Sequence, residues 1–250
     1  GTAGGLLLGL RDLEVDLPRT FPELQVFRPD GGPYHGALRE LLQLYAHHRP
    51  DLGYVQGMSY LAGILLLNMS QYEAFVALAN MMHKRFLYDL YRLKFEKIQT
   101  CMSAFNFFFV QNIKDLCLHF EQQGVTPDHY YISWCLTLFC RLFPLDIVSR
   151  IWDNFFLEEE IFCIKAALGI LKYYEKDLAQ CKFEDILAFF RTPKQDVDED
   201  LLFDLIESMV VPASDLKTFY EDDLLLDNGR DPNASSALIE DGSGSSCTLS

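Results

Sequence analysis

Basic residues are scarce in this 250-residue sequence, which has 21 Lys and Arg against 36 Asp and Glu and a net charge of −15. Non-specific nucleic-acid binding and attachment through a polybasic membrane segment both need excess positive charge, so the composition argues against both. Long hydrophobic runs are also missing, because the longest, residues 61–67, is far shorter than the ~20 residues that cross a bilayer. We therefore expect no membrane-spanning helix.

The sequence also lacks the short motifs of common nucleotide-binding and hydrolytic sites. It contains no G-x-x-x-x-G-K-[ST], G-x-G-x-x-G, H-E-x-x-H or G-x-S-x-G pattern. His47 and His48 stand at a helix end before Pro50, where cations suit the helix dipole, and no carboxylate or thiol stands near them at ligand spacing. We therefore predict no metal site and no cofactor, and an enzyme with its own small-molecule substrate is disfavoured.

The cysteines form no C-x-x-C pair and show no zinc-ligand spacing. The seven are Cys101, Cys117, Cys135, Cys140, Cys163, Cys181 and Cys247. Six of them lie in apolar, helix-like stretches, as reduced thiols do when they serve as small hydrophobic residues. This pattern, with no basic segment typical of a signal peptide, predicts a reducing, cytosolic compartment. Because the chain begins with Gly1 rather than Met, we expect it to be a fragment of a longer product.

Helical spacing dominates the middle of the chain, which has no proline between Pro50 and Pro127 and no glycine between Gly63 and Gly124. Alternating strand patterns are few. Helices are predicted over residues 36–48, 55–68, 72–85, 92–123 (one long or kinked helix), from 126 onward, 144–155, 161–178, 183–191, 199–210 and 213–223. Ser70 and Glu73 form a capping box, and Gly124 suits a left-handed helix end. The predicted fold class is all-α.

Several aromatic and acidic residues have structural interpretations. Phe105 and residues 107–109 fit core packing rather than a cofactor-binding cluster. Asp146, Asp153 and residues 158–160 fit solvated faces and helix caps better than a paired-carboxylate site.

Three short segments stand out: residues 13–20 read LEVDLPRT, residues 54–58 read YVQGM, and residues 150–153 read RIWD after Trp134 and Pro144. In this order they resemble the [IL]-x-x-D-x-x-R-T, Y-x-Q-G-M and R-x-W-D motifs of the TBC domain, the family of Rab GTPase-activating proteins. The resemblance covers about residues 13–215. Phe143, where leucine is usual, and Ser59, where asparagine often follows the methionine, depart from it.

The resemblance implies a domain of two stacked helical subdomains over residues 13–223, with a junction near Gly124. Residues 1–12 are expected to be a glycine-rich leader, with no helix over residues 1–5. Family members carry further helices, including an R-x-x-x-W segment, before the arginine motif, so the domain is expected to be N-terminally truncated. The acidic residues 224–250, rich in Asn, Gly, Ser and Asp, are predicted to be a disordered tail.

The resemblance also implies a function: activation of GTP hydrolysis by a Rab GTPase in vesicle traffic. Arg19 is then the arginine finger that stabilises charge on the transferring phosphoryl group, and Gln56 is a second finger that orients the attacking water. The GTP-bound Rab partner would hold both GTP and Mg²⁺, so this chain needs no cofactor of its own. The expected location is cytoplasmic, peripheral on endomembranes through the Rab.

Four further residues are supporting candidates under the same resemblance. Asp16 stands three residues before Arg19, where a charge-assisted bond would hold the guanidinium. Thr20, Tyr54 and Gly57 belong to the same two motifs, and Gly57 would let a partner's phosphate region approach the backbone closely.

Other interpretations stay open beside these. Without the family, Arg19 is a surface-loop residue and Gln56 a cap or turn residue. Trp134, Trp152, Arg150 and Asp153 are interpreted as structural, with the tryptophans in the core and a buried Arg–Asp pair. The alternative function is a catalytically silent helical scaffold or Rab effector, which would bind its partner without accelerating hydrolysis.

Overall fold

The computed structural model describes residues 3–220, with the side chains of residue 9 and residues 11–220. This part of the chain is helical and contains no strand, as the sequence predicts. The α-helices, in chain order, are α1 (Ala3–Asp16), α2 (His35–His48), α3 (Met58–Asn68), α4 (Gln71–Met81), α5 (Arg85–Tyr91), α6 (Phe95–Asn112), α7 (Lys114–Gln123), α8 (Tyr131–Leu136), α9 (Leu145–Glu158), α10 (Glu160–Tyr173), α11 (Glu175–Leu178), α12 (Phe183–Arg191), α13 (Glu199–Ser208) and α14 (Ala213–Thr218). None of these described helices is long and apolar enough to span a bilayer.

Local signals set several helix ends as predicted. Ser70 and Glu73 form the reciprocal capping box that begins α4, and Gly124 ends α7 with a left-handed φ of 74°. The predicted helix 92–123 is divided, because the chain breaks at Ile113 (φ −140°, ψ 58°) between α6 and α7.

The N-terminal segment differs from its prediction. Helix α1 begins at Ala3, although residues 1–5 were expected to form no helix. Glycine disfavours an isolated helix, but α1 packs against α2 and buries Leu13 completely, so tertiary packing outweighs the local preference. Residues 1–2 and the predicted tail 224–250 lie outside the described residues.

Buried apolar side chains from Leu13 to Leu216 form one continuous core. Helices α1–α4 pack on one another, while α10 packs mainly on α13, where a Cβ at Gly169 would lie 2.4 Å from Ile206 Cγ1. Helix α6 contacts both α7 and α8, on either side of Gly124, so the subdomain junction there stays a prediction.

The core includes most of the residues predicted for it. Five of the six described cysteines are buried, and all six are free thiols. Phe105 is buried, but Phe107, also predicted to be in the core, is 40% exposed and packs edge-on against Phe219. Glu160, predicted on a solvated face, is partly buried and accepts a hydrogen bond from the Tyr220 hydroxyl.

Candidate functional site

An open cleft of about 290 Å³ forms where segments distant in the sequence meet. The 3₁₀ turn after α1, the start of α3, the turn after α5, and α8 with the loop that follows it supply the walls. The lining residues are Asp16, Arg19, Val55, Gln56, Gly57, Tyr60, Leu93, Ser133, Leu136, Thr137 and Arg141. The two predicted finger residues therefore share one cleft, with Gln56 exposed and the Arg19 side chain 46% exposed.

Asp16 joins the two sequence motifs through a single buried carboxylate. Its Oδ1 accepts hydrogen bonds from Arg19 Nε at 2.8 Å and from Arg19 Nη2, and its Oδ2 accepts one from the Tyr54 hydroxyl at 2.6 Å. The predicted Asp16–Arg19 contact is thus present, and Tyr54 adds a second donor from the other motif. Charge-assisted bonds of this kind are stronger than neutral ones, so the carboxylate fixes both loops.

The bonds to Asp16 leave part of the Arg19 guanidinium available. A guanidinium has five N–H donors, of which one on Nε and one on Nη2 point to Asp16, leaving three. The Tyr60 hydroxyl donates to the main-chain carbonyl of Arg19 at 2.7 Å, which holds the backbone at this point. Arg19 is therefore anchored on one side and free to bind an anion on the other.

Buried polar residues concentrate at this place. In the described part of the chain, four polar or charged residues are classed as buried: Asp16, Thr20, Ser59 and Thr137. Asp16 and Thr137 line the cleft, while the Thr20 hydroxyl donates to the Asp16 carbonyl at 2.9 Å and lies 2.8 Å from the Ser59 hydroxyl. Because polar groups are seldom buried without a purpose, this concentration is itself a signal of a site.

Gln56 lies in the turn that leads into α3, immediately before Gly57. Gly57 has φ 104°, and a Cβ there would lie 2.9 Å from the Leu136 carbonyl oxygen, so glycine is required by packing inside the molecule. The Tyr91 hydroxyl donates to the same carbonyl, which connects α5 with α8 next to the Gln56 turn. The predicted approach of a phosphate to Gly57 stays a prediction.

The chemistry available in the cleft is that of hydrogen-bond donors rather than of a nucleophile. Burial and the bond to Asp16 raise the pKa of Tyr54 well above its ordinary value, so this phenol stays neutral. The lining contains no His or Cys, its one carboxylate is already bonded, and the Thr137 hydroxyl donates to the Ser133 carbonyl at 3.1 Å. What remains is the free edge of Arg19, the guanidinium of Arg141 and the amide of Gln56, which suit a developing negative charge and a water molecule.

The third motif is structural, but not in the predicted way. Trp134 and Trp152 are buried at 4% exposure each, as expected. The predicted buried pair between Arg150 and Asp153 is wrong: Asp153 is exposed, and Arg150 donates to Glu199 Oε1 at 3.0 Å and lies over the ring of Phe203. Because Arg150 is 40% exposed, its main effect is to connect α9 with α13 across the surface.

Sequence reasoning did not predict several polar residues of the site, among them Tyr60 and Arg141 in the lining and Ser59, whose hydroxyl bonds Thr20. Ser59 is a buried polar residue in a mostly apolar helix, which is a local signal that could have identified it. Tyr60 and Arg141 reach the cleft from residues outside the motifs, and no short pattern marks them.

Comparison with known families agrees with this geometry. A family model described as the Rab-GTPase-TBC domain matches residues 9–179, which include every residue that lines the cleft. The chain belongs to the TBC domain family. Its relatives include TBC1 domain family member 12 of Xenopus tropicalis (38% identity over 205 residues, covering 82% of this chain and 30% of the relative) and member 14 of Homo sapiens (38%, 82% and 29%). Drainin of Dictyostelium discoideum is 36% identical over 197 residues, covering 78% of this chain and 45% of the relative.

Solved structures of TBC domains have the same fold. The crystal structure of the Ypt/Rab-GAP domain of Gyp1p superposes with a TM-score of 0.70 over 82% of this chain and 72% of that one, at 19% identity. The Chlamydomonas flagellar RabGAP TBC domain gives 0.64 over 80% and 69%, at 25% identity. The TBC1 relatives are much longer proteins, of which this chain spans about 30%.

Proposed function

We propose that this TBC chain accelerates GTP hydrolysis by a Rab-family GTPase, supplying Arg19 and Gln56 to the partner's active site. The observation that supports this most directly is the shared cleft, in which the outer edge of Arg19 and the exposed Gln56 are both open to a docking protein. Two of the structural neighbours are named as Rab-GAP domains, which agrees with this function.

An isolated small GTPase hydrolyses GTP slowly. Negative charge on the transferring phosphoryl group is under-compensated, and the attacking water is poorly oriented. A guanidinium inserted in trans stabilises that charge and contributes about 10³–10⁵ in rate. Asp16 holds Arg19 in place before binding, so less conformational entropy is lost when the finger enters the complex.

Gln56 has the chemistry needed for the second task. Its amide both donates and accepts hydrogen bonds, so it can orient a water without removing its proton. Among the described residues it forms no side-chain hydrogen bond, which leaves both groups available. In this proposal the Rab holds GTP and Mg²⁺, and the chain acts in vesicle traffic at endomembranes to which the Rab recruits it.

The test is single-turnover GTP hydrolysis across a panel of GTP-loaded Rab proteins. R19A is expected to lower the stimulated rate by about 10³-fold or more and Q56A by about 10²-fold. Arg39→Ala is the matched control, because the Arg39 side chain is 42% exposed and bonded to a carboxylate at 2.7 Å, but lies outside the cleft. If both finger variants stimulate every responsive Rab as well as the wild type does, the two-finger mechanism is wrong.

A binding measurement on the same Rab panel separates the activator from a silent scaffold or effector. An activator binds the transition state most tightly, so the wild type should prefer Rab loaded with GDP and aluminium fluoride. Stable binding of GTP-loaded Rab with no acceleration would instead support the scaffold.

A further inference from the structure

Arg141 is a second arginine in the cleft, outside the sequence motifs. It lies in the loop after α8, lines the cleft and is exposed. Among the described residues it forms no ion pair and no hydrogen bond, whereas Arg19 is bonded to Asp16. Arg141 is therefore the cleft cation whose charge has no partner within the described chain.

The backbone of this loop is held firmly in an uncommon conformation. Leu138 and Phe139 both have left-handed φ values, 42° and 63°, and both are completely buried. Such values are costly for residues with a side chain and persist only where the surrounding structure enforces them. The Phe139 amide donates to the Trp134 carbonyl at 2.8 Å, and the Leu142 amide donates to the Phe139 carbonyl at 2.9 Å. The backbone that carries Arg141 to the cleft is thus held by the core.

The charges around the cleft indicate what Arg141 would bind. The chain carries a net charge of −15, yet the lining holds two arginines and one carboxylate, and that carboxylate is bonded to Arg19. Both guanidinium charges act on Tyr60, lowering its pKa against the larger effect of burial, which raises it. Both cations therefore act on Tyr60, as does the acidic Glu23, and an anionic group on a docking protein would meet an Arg141 that forms no ion pair within the described chain.

We propose that Arg141 is a positioning residue that binds a surface carboxylate of the GTPase occupying the cleft. This inference rests on the proposed function. A carboxylate fits the planar fork of a guanidinium with two parallel hydrogen bonds, which fixes orientation as well as adding affinity. The anchored arginine, Arg19, faces the transferring phosphoryl group, and Arg141 sets the register of the two proteins around it.

The experiment measures the binding of a Rab panel loaded with a non-hydrolysable GTP analogue, together with KM and kcat of stimulated hydrolysis. R141A is expected to raise Kd and KM about tenfold with kcat retained, and R141E to raise them further. R141K should recover part of the affinity, because it keeps the charge but not the fork. The effect should shrink at high salt, since Arg141 is exposed. Arg191→Glu, an exposed arginine outside the cleft, makes the same change in net charge and should bind normally.

Each outcome decides one question. If R141E binds every Rab as tightly as the wild type and keeps its KM, the inference is overturned while the activator proposal stands. If kcat falls with KM unchanged, Arg141 contacts the transferring phosphoryl group, and the positioning role is equally overturned. If the wild type binds a Rab without accelerating it, the activator proposal fails and Kd of R141E still decides the role of Arg141. If the wild type binds no Rab, both fail.

Discussion

Replacing Asp16 by Asn tests the central contact of the cleft. The side chain keeps its shape but loses its charge and one of its two acceptor oxygens. Asp16 now receives Arg19 on Oδ1 and Tyr54 on Oδ2, so an amide with one oxygen leaves one of these donors facing an NH₂ group.

The expected loss of stability comes mainly from the Tyr54 side. A buried hydrogen bond to a charged group contributes about 1.5–3 kcal/mol. The Arg19 side chain is 46% exposed, so that ion pair adds only about 0–1 kcal/mol after screening by solvent. We therefore expect D16N to lower the free energy of unfolding by about 2 kcal/mol. Loss of the anchor on Arg19 should also lower the Rab-stimulated rate by up to about fivefold, because the same 0–1 kcal/mol is lost and 1.4 kcal/mol corresponds to a factor of ten.

The measurement is urea unfolding at neutral pH, with Glu14→Gln as the matched control. Glu14 lies on the same helix and bonds Arg39 at 2.7 Å, but both side chains are more than 40% exposed, so its loss should cost less than about 1 kcal/mol. Equal unfolding midpoints for D16N and E14Q would refute the account of Asp16 as a buried connecting group. A normal stimulated rate in D16N would refute its role in anchoring Arg19.

Two further predictions concern the cleft wall and a partly buried acid. Gly57→Ala should lower the free energy of unfolding by at least about 2 kcal/mol, because alanine is strained at φ 104° and its Cβ would meet the Leu136 carbonyl. Gly36→Ala is the control and should not destabilise the protein, since the space around Gly36 is open. Equal losses of stability in the two variants would contradict the packing argument. Burial, opposed by the bond from Tyr220, raises the pKa of Glu160 from 4.5 to about 7. The folded state therefore binds more protons between these values, and the free energy of unfolding should fall as pH rises from 5 to 8, by at most about 3 kcal/mol from this group. In urea titrations at pH 5 and pH 8, E160Q should show a smaller difference in the free energy of unfolding than the wild type. An unchanged difference would contradict the assignment of this pH dependence to Glu160.

Much of the secondary structure could be predicted because its signals are local. Helix α12 spans the predicted residues 183–191, and the capping box at Ser70 and the glycine end at Gly124 use bonds within a few residues. The break at Ile113 and the helix over Ala3–Asp16 could not be predicted in this way. Both depend on which surfaces pack together, and tertiary packing overrides local preference there.

The site residues also differ in this way: some are marked by short motifs, and others depend on contacts between distant parts of the chain. The motifs identified Arg19 and Gln56, and the spacing of Asp16 three residues before Arg19 predicted their contact. Tyr60 could not be identified, since its hydroxyl bonds a carbonyl 41 residues earlier in the chain. Arg141 could not be identified either, because nothing in the sequence around an exposed arginine shows that it lines the same cleft as Arg19 and Gln56.

The bonds that build the cleft connect residues far apart in the sequence: 38 positions separate Tyr54 from Asp16, and 45 separate Leu136 from Tyr91. Contacts of such long range form slowly, because bringing the two ends of a long loop together costs entropy before the contact can stabilise the fold. During refolding, helical circular dichroism should therefore return well before the protein regains the capacity to capture a nucleotide-loaded partner. If both signals return together in a single phase, the helices and the cleft form in one cooperative step.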